Sequence, residues 1–173
     1  FETGHQNTAI YRTMVLDGRR LAVNLNPGRH GMRCASSYWR QGKPAPIAWV
    51  LGAEPVVTFA AVANVPYGVD EVTIAGGLKR NPVEVVRATS VDLMVPARAE
   101  IVIEGELYPG DTAEEGPFGE FAGYMGPVSA KPVARIRSVT HRNDPIYHGI
   151  ISQMPPSEST MIQSLGNAGL LLK

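Results

Sequence analysis

Glycine and proline recur along the whole sequence and limit the length of any regular element. The chain contains 18 Gly and 14 Pro among 173 residues. Because both residue types interrupt helices and strand interiors, the segments between them are short. Short segments separated by turn residues are typical of folds with many strands. We therefore predict a β-rich α+β domain with two or three peripheral helices and a carboxyl-terminal exit helix.

Apolar and alternating segments predict strands at residues 10–15, 20–24, 46–51, 82–89, 100–107, 133–140 and 146–151. Asp17-Gly18 predicts a tight hairpin between the first two, because Gly accepts the positive φ of such a turn. Residues 100–107 alternate, with Ile101 and Ile103 on one face and Val102 and Glu104 on the other. A closed or partly open barrel is one way for such a sheet to remove its edges.

Helices are predicted at residues 31–40, 54–63 and 157–173. Pro55 suits the first turn of the second helix, and Ser157 or Ser159 suits the cap of the third. Gly166 and Gly169 weaken the third prediction, because Gly is a poor helix former.

Charge and cysteine content exclude several classes of protein. The sequence has 16 basic and 16 acidic residues, whereas a nucleic-acid-binding surface needs a basic excess. No apolar run approaches the roughly 20 residues that span a bilayer. With Cys34 alone no intrachain disulfide is possible, which fits a reducing, cytoplasmic location. The sequence begins with Phe1 and ends within an apolar stretch, so we expect a piece of a longer protein.

An acidic loop at residues 114–120 is the most unusual segment. Glu115 and Glu120 flank Gly116, Pro117 and Gly119, which cannot sustain a helix. Two carboxylates held close do not both ionise freely, so one can carry a proton near neutral pH, as a general acid must. The alternative is a surface turn with solvated acids. Aromatic residues nearby favour a site for a flat ligand; they are Phe118, Phe121 and Tyr124.

Three other segments carry candidate functional residues. Arg12 can fork onto a carboxylate, although a solvated arginine is the usual outcome. His30 lies at a loop-to-helix junction between glycines, where it can meet a metal or a phosphate, but it can also be polar surface. Glu71 can bind a hard metal ion, and the following Gly76-Gly77 allows close backbone approach or forms a tight turn.

These segments occur in the order found in the UbiD family of decarboxylases, which the sequence resembles over nearly its whole length. The matching segments are Asn7-Thr8-Ala9-Ile10-Tyr11-Arg12, His30, Glu71 with Ala75-Gly76-Gly77-Leu78, residues 95–105 and residues 115–124. Any one of these motifs is weak, whereas all five in register are highly specific. The chain departs at Thr8-Ala9, where family members often carry a Gly.

The resemblance implies a split-barrel domain at residues 1–155 that binds prenylated FMN, followed by the start of a linker helix at 156–173. It implies that Asn7, His30 and Glu71 bind a divalent metal, usually Mn²⁺, that bridges to the cofactor phosphate. A K⁺ ion, bound by carbonyls around residues 61–63, is implied less directly. The implied cofactor-binding residues are Asn7, Thr8, Ala9, Ile10, Arg12, Arg29, His30, Ala63 and Glu71.

The resemblance also implies a catalytic network of Arg12, Glu115 and Glu120, in which Glu120 delivers or removes the proton. The reaction would be reversible decarboxylation of an aromatic, heteroaromatic or α,β-unsaturated acid. Further implied features are homo-oligomerisation through a carboxyl-terminal domain outside these residues and a flavin prenyltransferase that supplies the cofactor. The competing hypotheses are a flavin- or metal-binding module without catalysis and a hydrolase that uses two carboxylates.

Overall fold

The structure is a computed structural model that describes residues 4–171, with side chains described as far as residue 167. In chain order its elements are β1 (Thr13–Asp17), β2 (Arg20–Val23), α1 (His30–Trp39), β3 (Ala45–Leu51), α2 (Pro55–Val62), α3 (Glu71–Lys79), β4 (Val85–Arg87), β5 (Met94–Pro96), β6 (Ile101–Glu115), β7 (Ser129–His141) and α4 (Glu158–Leu171). The predicted α+β class is confirmed. In the described part of the chain no helix is long and apolar enough to cross a membrane.

The main sheet has five antiparallel strands in the order β1-β2-β7-β6-β3. It is not closed, since β1 and β3 form its two edges. β4 and β5 pair in a separate two-stranded sheet. The long β6–β7 hairpin forms the centre of the molecule, and β2 and β3 pair with its two sides.

Three apolar clusters hold the helices in place. The largest packs α1 against the sheet and comprises Val23, Leu25, Ala35, Ala45, Leu107 and Ala134. A second joins Val57 and Ala60 of α2 to Ala75 of α3. A third lies beneath the β4–β5 ribbon, where Val95 packs with Val102 of β6. Each cluster contains alanines, so the helices and strands approach closely.

The predicted strand at residues 146–151 is wrong. These residues form no regular structure, and Ile146 and Ile151 are exposed. Carboxylates take the place of a strand partner: the Ile146 N–H donates to Glu100 (3.1 Å) and the Ile151 N–H donates to Glu158 (2.7 Å). No strand that the structure describes pairs with residues 146–151.

The first hairpin forms, but its turn differs from the prediction. Asp17 pairs with Arg20, and Gly18 does not adopt the left-handed conformation. Asp17 stabilises the turn instead, because its carboxylate accepts hydrogen bonds from the Arg19 N–H and from Nε of Arg20. The turn therefore depends on a side chain more than on Gly.

A helix replaces the tight turn weighed for Gly76-Gly77. Asp70 caps α3 by accepting from the Val72 N–H, and Lys79 lies in its last turn. Arg80, with φ 57°, ends the helix in the left-handed conformation. These end signals outweigh the low helix propensity of two glycines.

β6 continues well past the predicted end at residue 107, to Glu115. Irregular pairing between Leu107 and Thr112 accommodates Pro109 and Gly110 inside the strand. The first two residues of the predicted acidic loop, Glu114 and Glu115, therefore end a strand. A fixed strand end positions a side chain more tightly than a free loop does.

The buried face of β6 carries a charge. Glu104 is 1% exposed, and its carboxylate accepts four hydrogen bonds from the backbone N–H and hydroxyl groups of Thr89 and Ser90. Burial opposes ionisation, but these bonds outweigh it and lower the pKa of Glu104 from 4.5 to about 2. We call Glu104, Thr89 and Ser90 the Glu104 latch, because it fastens the segment before β5 to β6.

The last predicted helix is confirmed as α4 as far as Leu171, and residues 172–173 lie outside the described residues. α4 packs on α2 at Gly166. A Cβ there would lie 2.7 Å from Cγ2 of Val62 and 3.3 Å from the Phe59 carbonyl oxygen. Gly166, which weakened the prediction, is therefore required by the packing of the two helices.

Candidate active site

Arg12 joins the two acids singled out in the sequence. Its guanidinium forks onto Glu115, with Nε donating to Oε1 (3.0 Å) and Nη2 donating to Oε2 (2.7 Å). Its third nitrogen, Nη1, donates to Oε1 of Glu120 (2.6 Å). Hydrogen bonding to Glu115 is the main cause of a raised Arg12 pKa. One fixed cation thus lies between two carboxylates.

The two carboxylates differ in their access to solvent. Glu115 is fully buried, whereas the side chain of Glu120 is 42% exposed. Phe118 covers one side of the guanidinium, with the Arg12 Cζ 5.0 Å from its ring centroid. The side chains of Phe121 and Tyr124 are largely exposed. Solvent therefore reaches the Glu120 side chain but not that of Glu115.

A small folded loop after β6 holds Glu120 in place. The Glu120 N–H donates to the Tyr124 carbonyl (2.8 Å), and the Gly126 N–H donates to the Phe118 carbonyl (2.7 Å). Gly116 has φ 99°, a conformation that favours Gly, where the chain leaves the strand. The loop is thus tied across its base rather than free in solvent.

A cavity of about 310 Å³ is lined in part by residues 6–11, which directly precede Arg12; Arg12, Glu115 and Glu120 do not themselves line it. Its walls come from the segment before β1, from α1, β3 and α2, and from the β5 segment. The polar lining residues include Gln6, Asn7 and Thr8; the apolar lining includes Leu25, Ile47, Trp49, Val57, Leu93 and Val95. A mostly apolar cavity with a few convergent polar groups is typical of sites for flat organic ligands. The predicted residues Ala9 and Ile10 also line it.

A second concavity, of about 640 Å³, is lined by residues between 148 and 162. It contains none of the predicted site residues. We therefore assign the candidate site to the smaller cavity.

The predicted metal-binding residues lie at the starts of helices and on the segment before β1. His30 begins α1 and Glu71 begins α3, where Glu71 is 3% exposed. Oε2 of Glu71 accepts from the Thr8 N–H (2.8 Å), which ties this carboxylate to the residue next to Asn7. Nδ2 of Asn7 donates to the Tyr11 hydroxyl (2.9 Å).

The chemistry of these residues fits a divalent ion. An imidazole, a buried carboxylate and an amide whose nitrogen is already engaged, leaving its oxygen for an ion, form a suitable donor set. Among the described residues, no three His, Cys, Asp or Glu side chains come together as a metal site. The predicted set includes only two residues of those types, with Asn7 as the third ligand.

The remaining predicted residues lie at helix ends. Arg29 precedes α1 without capping it through its side chain and is exposed. Ala63 follows α2, and its N–H donates to the Ala60 carbonyl; Ala61 rather than Ala63 lines the cavity. Of residues 61–63, whose carbonyls were predicted to bind a K⁺ ion, only Ala61 is among the cavity-lining residues.

The sequence did not predict the contacts that Tyr67 makes near the candidate site. The Arg33 guanidinium lies 3.8 Å from its ring centroid, and the rings of His30 and His5 lie 5.2 and 5.4 Å away. Tyr67 thus holds the start of α1 near the loop that leads to α3. No spacing rule along the sequence predicts contacts between residues that are so far apart in the chain.

Gln6 was also missed. Its amide pairs with both backbone groups of Met94, donating to the carbonyl (2.7 Å) and accepting from the N–H (2.9 Å). This contact joins two walls of the cavity. A single glutamine before Asn7 gives no sequence signal for such pairing.

Comparisons with known proteins identify the family to which this fold belongs. A family model described as UbiD, the 3-octaprenyl-4-hydroxybenzoate carboxy-lyase Rift-related domain, matches residues 1–155. An evolved dimeric form of the UbiD-class enzyme HmfF from Pelotomaculum thermopropionicum, solved with prFMN, is 39% identical with a TM-score of 0.89. The match covers 98% of this chain and 39% of that one.

Two further solved structures show the same fold. Vanillic acid decarboxylase from Sedimentibacter hydroxybenzoicus is 31% identical with a TM-score of 0.87, over 92% of this chain and 34% of that one. The 3,4-dihydroxybenzoic acid decarboxylase from Enterobacter cloacae is 31% identical with a TM-score of 0.81, over 92% and 35%. The chain thus spans about two fifths or less of each of these chains. Since the family model covers most of the sequence and the solved structures agree with the described fold, this chain belongs to the UbiD family.

Proposed function

We propose that this chain is the cofactor-binding part of a reversible decarboxylase that uses prenylated FMN. The substrate would be an aromatic, heteroaromatic or α,β-unsaturated carboxylic acid. The observation that carries the proposal is the fork of Arg12 onto buried Glu115, with Glu120 on the remaining nitrogen. Relatives of known structure include acid decarboxylases and an enzyme solved with prFMN.

Glu120 is assigned the proton transfer. In the decarboxylation direction, protonated Glu120 gives its proton to the carbon that loses CO₂ and becomes a carboxylate held by Arg12. In carboxylation it takes the proton from that carbon. Exposure of Glu120 supports this role, because the proton must be replaced from solvent. Glu115 keeps Arg12 oriented, and its burial explains why it is the anchor.

Prenylated FMN, when bound, supplies an acceptor for the electrons that remain as CO₂ leaves. The apolar cavity suits its ring system, with Thr8, Ala9 and Ile10 on the wall beside the proposed metal ligands. Asn7, His30 and Glu71 would hold Mn²⁺ or another divalent ion, whose charge offsets that of the cofactor phosphate. The proposal has three further parts. A K⁺ ion would bind near Ala63, a flavin prenyltransferase would supply the cofactor, and the whole protein would form a homo-oligomer.

The first test is reconstitution of the full-length protein. We would co-express it with a flavin prenyltransferase, record its visible absorbance and measure bound metal. We expect a coloured protein that contains a divalent ion and releases CO₂ from one of a panel of aromatic and acrylic acids. A colourless protein without a divalent metal contradicts the proposal. A coloured, metal-bound protein that turns over no acid favours the alternative of a cofactor-binding subunit without catalysis.

Two substitutions separate the proposed roles. Glu120→Gln should abolish CO₂ release and proton exchange while the bound cofactor is unchanged. Glu114→Gln is its matched control, because Glu114 precedes Glu115 on the same strand and is exposed. His30→Ala should lose metal and flavin together. Activity retained in Glu120→Gln would remove that residue from its role, and full cofactor content in His30→Ala would refute the ligand assignment.

A further inference from the structure

Tyr11 connects two parts of the chain that bear proposed metal ligands. Its hydroxyl accepts a hydrogen bond from Nδ2 of Asn7 (2.9 Å), and the same hydroxyl packs closely against Gly31. Gly31 follows His30 in the first turn of α1. One hydroxyl thus contacts the Asn7 side chain and the backbone beside His30.

The fit around this hydroxyl is tight. A Cβ on Gly31 would lie 2.2 Å from the Tyr11 oxygen and 2.7 Å from Cζ. Gly31 does not have a positive φ, so its glycine is required by space rather than by backbone conformation. The Tyr11 hydroxyl is therefore packed against the first turn of α1, directly after His30.

The contact with Asn7 also determines which amide atom is available. A side-chain amide has one face that donates and one that accepts, and only the oxygen can bind a cation. Because the Tyr11 hydroxyl takes the nitrogen, the oxygen is left for another partner. Without that hydroxyl the amide is free to rotate and present its nitrogen instead.

We propose that Tyr11 is a positioning residue for the divalent ion: its hydroxyl turns the Asn7 oxygen toward the metal and fixes the start of α1 beside it. The inference rests on the proposed function, since it concerns the proposed ligands Asn7 and His30. Outer-sphere partners of this kind typically change metal affinity by about 10- to 100-fold when they are removed.

The test uses the full-length protein, Mn²⁺ and FMN, with Tyr11→Phe as the variant because it keeps the ring that lines the cavity. Free Mn²⁺ is measured by electron paramagnetic resonance and FMN binding by fluorescence, with and without Mn²⁺. We expect Mn²⁺ affinity to fall by about 10-fold or more. At a Mn²⁺ concentration near the wild-type dissociation constant, Mn²⁺ should enhance FMN binding less in the variant, because fewer molecules carry the ion. FMN affinity in EDTA should stay within about twofold.

Tyr108→Phe is the matched control. Its hydroxyl also hydrogen-bonds a side chain, Glu106, but on the outer part of β6 away from the cavity lining. It should leave Mn²⁺ and FMN binding unchanged. Gly31→Ala, which pushes on the Tyr11 hydroxyl, should lower Mn²⁺ affinity, and Tyr11→Phe/Gly31→Ala should lose less than the sum of the two single effects.

Each negative result of these binding experiments leads to a different conclusion. If Tyr11→Phe binds Mn²⁺ as the wild type does, the positioning role is wrong. If it weakens FMN equally with and without Mn²⁺, Tyr11 only shapes the cavity and the inference is also wrong. If the wild type itself binds no Mn²⁺ in the presence of FMN, the metal assignment in the proposed function is overturned along with this inference.

Discussion

At the scale of single residues, Arg12 shows how one side chain defines the chemistry of the site. A guanidinium presents several N–H groups in one plane, so it can grip Glu115 with two of them and still reach Glu120 with a third. An ammonium group is a compact point charge without that fork. The buried position of Glu115 makes the requirement strict, because an unpaired carboxylate there is costly.

Arg12→Lys is therefore expected to behave as a severe substitution. Lysine cannot bind both carboxylates, so we expect CO₂ release at saturating substrate to fall by about 100-fold or more. Leaving Glu115 incompletely bonded should also lower the free energy of unfolding by about 1–3 kcal/mol. Activity assays and urea unfolding would measure both effects. Arg135→Lys is the control, since its ion pair with Asp111 is on the surface; wild-type activity in Arg12→Lys would contradict the assigned role.

At the scale of elements, the Glu104 latch ties the wall of the cavity to the central hairpin. Its folded pKa of about 2 lies below the ordinary 4.5, so the latch stabilises the fold at pH values above about 4.5. That contribution is lost progressively as the pH falls from about 4.5 to 2. The next element along, β5, includes the cavity residues Met94 and Val95, so weakening the latch should also loosen the site.

Glu104→Gln should reveal this pH dependence. At pH 7 we expect it to lower the free energy of unfolding by about 3 kcal/mol, since an amide cannot replace a carboxylate that accepts four hydrogen bonds. The difference from wild type should be much smaller at pH 3. Glu84→Gln, which removes an exposed ion pair with Arg98, should have little effect at either pH. An equal deficit at pH 7 and pH 3 in urea unfolding would argue against a charged latch.

Gly105→Ala tests the packing of the central hairpin. The added Cβ would lie 2.8 Å from the Arg135 carbonyl oxygen, which belongs to the backbone of β7 and cannot rotate away. We expect a loss of about 1–3 kcal/mol in thermal or urea unfolding. Gly77→Ala is the matched control: it faces open space in α3, where alanine should stabilise by about 0.5–1 kcal/mol. Similar effects of the two substitutions would mean that β6 and β7 can separate easily.

Elements with strong local signals were predictable, and those that depend on distant partners were not. Pro55 marked the start of α2, and the apolar run of β3 marked a strand. Residues 146–151 carry a strand-like composition, but strand formation needs a neighbour, which the local pattern does not contain. α3 was not predicted, because Gly76 and Gly77 suggested a turn. The helix forms nevertheless, since Asp70 and Arg80 provide strong signals at its two ends.

The candidate site follows the same rule. The chemical character of Arg12, Glu115 and Glu120 was evident, and their resemblance to a known motif gave the grouping. The structure adds the fork and the difference in exposure, which need the strands in place. Tyr11, from the segment before β1, and Tyr67, from the loop before α3, both contact the start of α1, so no spacing along the chain indicates these contacts.

At the scale of the whole molecule, the cavity draws its walls from elements throughout the fold. A ligand that fills it should stabilise the protein as a unit. FMN at 100 times its dissociation constant should add about 2.7 kcal/mol to the free energy of unfolding. A thermal shift assay with FMN, and with adenosine monophosphate as the control for a phosphate without the flavin ring, measures this. No shift with FMN would contradict a flavin site in this cavity.

The fork between Arg12 and Glu115 spans 103 positions of sequence, and β2 gains its second neighbour only from β7. During synthesis at about 5–20 residues per second, on the order of 5–20 s separate the emergence of the arginine from that of its anchor. Throughout that interval one edge of the amino-terminal hairpin has no strand to pair with. The arginine is therefore made well before its carboxylate partner, and conditions that slow translation between residues 12 and 115 prolong the exposure of this hairpin to wrong partners.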